Sequence, residues 1–271
     1  MTEINIENLP LWVQERDIVL KYNTQATWRY GEQPDYTRSN ENLAQESLCN
    51  HPANSLEKLV QNLVRTFDIE ANFKTNPQEW LSVVQDKFRM STNGGTSYKL
   101  EDLVQAGTYK LLIGNTQHYQ ATQEDFESST QLFHNAFPDG FLWEVLEVYS
   151  APPTIAFKWR HWGHFRGSFK DYAPTGQMIE VVGMSVVQVT ENCKILSLDH
   201  YYDNGKFLNQ LTSGGKLATA IKQQSMSETT PSANTWKQTF LGFFRRFLPN
   251  RTKPASANLS GSGCPFAALL R

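Results

Sequence analysis

An α+β architecture, with helices packed on a curved antiparallel sheet that closes into a cone-shaped barrel, is predicted for this chain by three observations. From Ser55 to Phe137 apolar residues recur at helical spacing. After Gly140 the period drops to two and β-branched and aromatic residues dominate. The helical and extended segments are segregated along the chain, which is the order of an α+β domain and not of alternating βαβ units. A length of 271 residues with 39% hydrophobic content and 16 phenylalanines supports one substantial core plus extensions. The expected division is an N-terminal arm over 1–54, the barrel domain over 55–215, and a linker, a short amphipathic helix and a tail over 216–271.

The arm has little periodicity and is broken at Tyr30-Gly31-Glu32-Gln33-Pro34-Asp35 and Asn50-His51-Pro52, so it reads as irregular with one short helix. Its Trp12, Trp28, Tyr30 and Tyr36 are too apolar to leave in water and predict docking on the barrel or on a partner chain. Leu56, Leu59, Val60, Leu63, Val64 and Phe67 mark one face of a first long helix capped by Ser55. Asn76-Pro77 opens a second over Pro77 to Lys87, with Trp80, Leu81 and Val84 as its stripe. After the Asn93-Gly94-Gly95 turn a third helix runs from Leu100 to Leu112, and a fourth from Asp125 to Phe137, ending before Pro138-Asp139-Gly140. Strands are expected over Phe141–Tyr149, Thr154–Phe165, Met178–Thr190 and Lys194–Asp203, punctuated by Pro152-Pro153, Pro174-Thr175-Gly176 and Glu191-Asn192. A twisted sheet with helices across its concave face leaves a funnel, where such folds keep small ligands.

A formal net charge of −2 gives no field for a phosphate backbone, so nucleic acid is not an expected partner. The first residues are interrupted by Glu3, Glu7, Glu15, Arg16 and Asp17, unlike a secretory signal, and no run is long and apolar enough to span a bilayer; the expected compartment is the cytoplasm. Cys49, Cys193 and Cys264 fit neither a disulfide framework nor a four-cysteine zinc site, so reduced thiols are expected. No glycine-rich phosphate loop or metal-ligand spacing is present, which predicts neither metal nor organic cofactor.

Ala136-Phe-Pro-Asp-Gly140, Gly163-His-Phe-Arg-Gly-Ser-Phe169, Pro174-Thr-Gly176, Lys194-Ile195, Tyr201-Tyr-Asp203 and Asn209-Gln-Leu211 resemble, in order, the SnoaL-like polyketide cyclase family. That family has the nuclear transport factor two-like cone fold. The resemblance is closer to the plant pathogen-related group, through Thr27-Trp-Arg-Tyr-Gly31, Ser91-Thr-Asn-Gly94, Glu144-Val-Leu-Glu-Val-Tyr-Ser150, Ile155-Ala-Phe-Lys-Trp-Arg-His-Trp-Gly163 and Ser262-Gly-Cys-Pro265. It implies ring closure by cofactor-free aldol chemistry with a pocket aspartate as acid and base. Alternatively, as in the pathogen-related group, it implies a defence or stress association with no fixed reaction.

Asp203 takes the place of the cyclase acid/base in this resemblance, and an aromatic pocket would raise its pKa. The alternative is an aspartate that simply opens the Asp203-Asn204-Gly205 turn. Strand alternation puts Ile155, Phe157, Trp159 and His161 on one face, suited to lining a cavity, and Lys158, Arg160 and Trp162 on the other, toward a subunit interface or the arm. His161 is then a catalytic candidate or a hydrogen-bonded structural histidine. Asp199, Tyr201 and Asp203 share one side of the last strand; Tyr201 would donate to a developing enolate or only pack its ring, and Asp199 and Tyr201 join Phe157 and Trp159 as ligand contacts. The expected partner is a small hydrophobic or polyketide-like molecule. The outward sheet face offers a homodimer contact. Trp236, Phe240, Phe243, Phe244 and Phe247 with Lys237, Arg245 and Arg246 give residues 236–248 the composition of a peripheral membrane helix or of one docked on the barrel.

Overall fold

The computed structural model describes residues 9–217. The expected linker, membrane-contact helix at 236–248 and Cys264 lie outside the described residues. The arm contributes α1 (Arg16–Tyr22) and α2 (Thr37–Glu46), followed by α3 (Leu56–Phe73), β1 (Arg89–Thr92), α4 (Leu100–Ala106), α5 (Thr108–Ile113) and α6 (Phe126–Ala136). Then come β2 (Leu142–Val148), β3 (Thr154–His164), β4 (Met178–Val189), β5 (Ile195–Tyr201) and α7 (Asn204–Thr212). The curved sheet has the order β1-β5-β4-β3-β2.

The antiparallel expectation holds for the pairs β2–β3, β3–β4 and β4–β5 and is corrected at the edge, where β1 runs parallel to β5, Met90 opposite Leu198. The sheet is therefore mixed. Four residues, Arg-Met-Ser-Thr, are too few for alternation to announce a strand.

Caps set the helix starts. Ser55 accepts from the Lys58 amide at 3.2 Å to open α3, and Asp125 and Ser128 exchange hydrogen bonds at 2.7 and 2.9 Å to open α6. The expected Leu100–Leu112 helix is two, because Gly107 takes φ +80° and a side chain there would meet Phe126 at 2.9 Å. The expected Pro77–Lys87 helix is only a 3₁₀ turn at Pro77–Glu79. Beyond it the amides of Leu81 and Ser82 donate to Glu70, and Ser82 and Val84 exchange backbone bonds with Ile195, so tertiary partners replace the helical ones.

The arm holds two α-helices where one was expected. α2 buries no side chain, so no apolar period announced it; it is fastened from outside by Arg38 to Asp139 and by Asn42 Nδ2 to the Asp139 carbonyl at 2.9 Å. Its end covers the outer face of β2 and β3, where Trp162 Nε1 donates to Glu46 at 2.8 Å. There the buried Arg160 bridges Glu144 at 3.1 Å and Glu180 at 2.5 Å. The arm aromatics dock on the barrel: Trp12 donates to the Asn192 carbonyl at 3.0 Å, and Tyr30 and Tyr36 meet Phe73 edge-on. Cys193 is disulfide-bonded, which corrects the expectation of three reduced thiols, and Cys49 is free. Among the described residues no helix is long and apolar enough to cross a membrane, and no cluster of histidine, cysteine and acidic residues could hold a metal.

Candidate functional site

Between the concave sheet face and the helices across it lies a cavity of about 710 Å³. Strand alternation delivers Trp159 and His161 from β3, Val181 from β4, and Leu198 and His200 from β5, with Tyr202 just beyond. The helices bring Phe67 and Asp68 (α3), Tyr109 (α5), Phe133 (α6) and Phe207 (α7), and the arm closes one wall with Arg16, Tyr36 and Leu43. Gly183, paired with Trp159 across β3–β4, makes room for the indole: a Cβ there would come within 2.3 Å of it. Phe141 stacks on the His161 ring at 3.7 Å between centroids and on Phe137 at 4.3 Å, giving one wall a continuous aromatic face.

A fixed relay crosses the sheet beneath this wall. Trp159 Nε1 donates to Ser185 Oγ at 2.8 Å, and the same hydroxyl lies 2.8 Å from His200 Nδ1. With its oxygen accepting from the indole, the buried Ser185 places its proton best by donating to Nδ1, which assigns the His200 proton to Nε2. Burial lowers the His200 pKa to about 4 against a smaller opposing pull from Asp199, and lowers that of His161 to about 3. Both imidazoles are therefore neutral near pH 7. His161 Nδ1 is buried without a hydrogen-bond partner.

The charged end is built by α3 and the arm. Asp68 is enclosed by protein, yet much of its surface faces the cavity. Burial pushes its carboxyl up to about 6, opposed by Arg16, Arg65 and a 2.7 Å hydrogen bond from Asn72. Burial and then repulsion from Arg16 bring Arg65 down to about 10. Arg16 lies with its guanidinium carbon 3.7 Å from the centre of the Tyr36 ring and bonds Asn40.

The residues expected from sequence divide. Trp159 and His161 line the cavity, while Phe157 is fully buried on the same face, edge-on to Trp143 at 6.4 Å. Asp199 accepts from Ser91 Oγ at 2.6 Å, Tyr201 is 46% exposed, and the exposed Asp203 caps α7 by accepting from the Lys206 amide at 2.8 Å. None of these three lines the cavity; it is the alternate set Leu198, His200 and Tyr202 that turns inward. Alternation along β5 was readable, but which of its two faces looks inward was not. Arg16, Arg65 and Asp68 were missed altogether. The available signal was Asp68, one residue past Phe67 and four past Val64, a charge at the edge of the apolar stripe of α3.

Over 188 residues the chain is 37% identical to the Pathogen-related protein of barley, Hordeum vulgare, spanning 67% of this chain and 80% of the relative. The SnoaL-like polyketide cyclase model matches residues 82–211. The chain belongs to the plant-type pathogen-related group of the SnoaL-like family. The match to the SnoaL-like model takes in β1 through β5 and the helices between them, and leaves the arm and α3 outside. Two solved structures resemble this SnoaL-like chain. A candidate polyketide cyclase from Acidithiobacillus ferrooxidans is 14% identical, with 61% of this chain and all (100%) of that one covered and a TM-score of 0.36. An NTF2-like protein from Burkholderia thailandensis is 13% identical, with 55% and 92% covered and a TM-score of 0.32.

Proposed function

We propose that the cone encloses one small, largely apolar molecule and that this binding serves a defence or stress response, the setting suggested by the name of the barley relative. The observation that carries the reading is the cavity of about 710 Å³ walled by aromatic rings, a volume within the range of small-molecule sites. Enclosure of such a ligand removes apolar surface from water at roughly 25 cal/mol per Å². The neutral His200 supplies a directed hydrogen-bond donor to orient it. Native mass spectrometry of protein purified from its own cells, followed by release of the bound molecule, is the test: a retained hydrophobic metabolite is expected. A protein that carries none and also fails to take up apolar fluorophores would end the reading.

A second reading, cofactor-free proton transfer on an enclosed carbonyl compound, is favoured by Asp68, whose pKa of about 6 suits exchange of a proton near neutral pH. In this reading Asp68, with His161 beside the substrate, takes the acid/base role that sequence reasoning assigned to Asp203, aided by Tyr201 or His161. Once a substrate is in hand, Asp68→Asn abolishes turnover and Asp203→Asn leaves it; the reverse result restores the sequence-based assignment. The homodimer contact is assigned to the outer sheet face, where Met178, Val182, Met184 and Tyr201 are 42, 44, 41 and 46% exposed. Sedimentation of wild type against Met184→Glu tests it: a monomer in both removes the contact.

A further inference from the structure

We propose that the cavity holds its ligand by an anionic group, a carboxylate received between Arg16 and Arg65, so that the ligand class is an apolar molecule with one acidic terminus; this rests on the cavity being a ligand site. Both arginines line the cavity and each lies within reach of the other's charge. A guanidinium offers several N–H donors and no acceptor, and it is the side chain best shaped to grip a carboxylate in two places. Here those donors are largely unspent. Arg65 gives one hydrogen bond, from Nη2 to the Trp143 carbonyl at 3.4 Å. Arg16 gives one, to Asn40, and its Nε is shut away from solvent without a partner.

Neither arginine is in ion-pair contact with a carboxylate among the described residues. The acids around them are occupied elsewhere: Glu15 with Lys58 at 2.7 Å, Glu144 with Arg160 at 3.1 Å, Asp139 with Arg38 and Arg166, and Asp35 with the Thr37 amide and hydroxyl. Asp17 lies 3.5 Å from Asn40 Nδ2. That leaves Asp68, which takes its hydrogen bond from Asn72 instead of closing on either guanidinium. Two cations face one carboxylate, so even in its ionised form it leaves one positive charge uncancelled. The tyrosines at this end, Tyr36 and Tyr109, are held in the neutral phenol form by burial, so they add no negative charge. Buried cations without counter-ions are costly. An incoming carboxylate removes that cost while its apolar body fills the aromatic end.

Fluorescence titration of the full-length protein with cis-parinaric acid and with its methyl ester, which differ in the anion and hardly in shape, reads the inference. The acid is expected to bind tighter by about tenfold or more, the ratio given by a net charge-assisted hydrogen bond. Arg65→Met and Arg16→Met should bring the acid down to the affinity of the ester while leaving the ester unchanged, and Arg65→Lys should recover part of the preference. Asp68→Asn should act in the opposite direction, tightening the acid alone, because it removes the one competing negative charge. Equal affinity for acid and ester in the wild type, or an acid preference that survives both arginine replacements, would overturn the anion site and leave the cavity reading standing. Binding of neither probe would overturn both.

Discussion

The second half of helix α3, with Lys74 just past its end, presents two pairs of charged residues, and the molecule treats them in opposite ways. On one side Glu70 and Lys74 are completely buried and joined at 3.0 Å. Lys74 also donates to the Glu79 carbonyl at 2.7 Å, and Glu70 accepts from the Leu81 amide, the Ser82 amide and the Ser82 hydroxyl. On the other side Arg65 and Asp68 face the cavity, make no ion pair with each other, and keep most of their hydrogen-bonding capacity open. The first pair is a closed network whose partners are all protein, and it holds the 79–82 segment beside β5. The second is incomplete without something in the cavity. A charge on a helix therefore does not by itself announce a structural or a functional role; the inventory of its partners does.

Four substitutions put numbers on this contrast. Lys74→Met leaves Glu70 buried without its cation, and is expected to cost about 3–5 kcal/mol in urea denaturation. Arg160→Met breaks a similar closed network on the outer face, but its Glu180 partner is 45% exposed, so a smaller loss of about 2–3 kcal/mol is expected. Arg65→Met should change stability by no more than about 1 kcal/mol, because it gives up only one long hydrogen bond, at 3.4 Å to the Trp143 carbonyl, and no ion pair; a loss equal to that of Lys74→Met would erase the distinction between the two sides. Asp68→Asn should have the smallest effect, a gain of up to about 1 kcal/mol at pH 7.5, kept low because the side chain is exposed and its charge is open to solvent screening. Its sign follows from the pKa, raised from 3.8 to about 6 on folding. The folded protein holds this proton more tightly than the unfolded chain does. Its contribution is full below about pH 4 and is lost as the pH rises through about 6. Melting curves across that window should show the slope in the wild type and its absence in the Asn variant.

Long periodic segments were legible in the sequence because one physical signal dominates them. The stripe of α3 and the alternation in β2 to β5 come from burial of one face; the strand ends fall within a residue or two of those expected, while α3 runs on to Phe73, past the stripe that ended at Phe67. What was not legible depends on distant partners. The Trp80–Val84 stripe has a helical look, but its amides are claimed by Glu70 and by β5, and no local pattern announces that. α2 is mostly polar, and it is held by partners distant in the chain, Asp139 at one end and Trp162 at the other. In the site, the face of β3 was readable because its apolar set is distinct. β5 carries polar residues on both faces, His200 on one and Asp199 and Tyr201 on the other, so composition could not choose between them. Arg16 and Arg65 look like ordinary surface charges until the arm is seen folded over the cone.

The parallel pairing of β1 with β5 has a consequence for how the molecule is made. Ser91 and Asp199 are bonded across 108 residues of chain, so one edge of the sheet cannot be completed until nearly the whole domain has left the ribosome. Until then β1 presents open backbone donors and acceptors, and the nascent chain must keep this edge from pairing with another. Assembly of the domain is thus timed by its last strand, and a chain cut short before β5 leaves β1 with its local bridge to Tyr98 and no sheet to join.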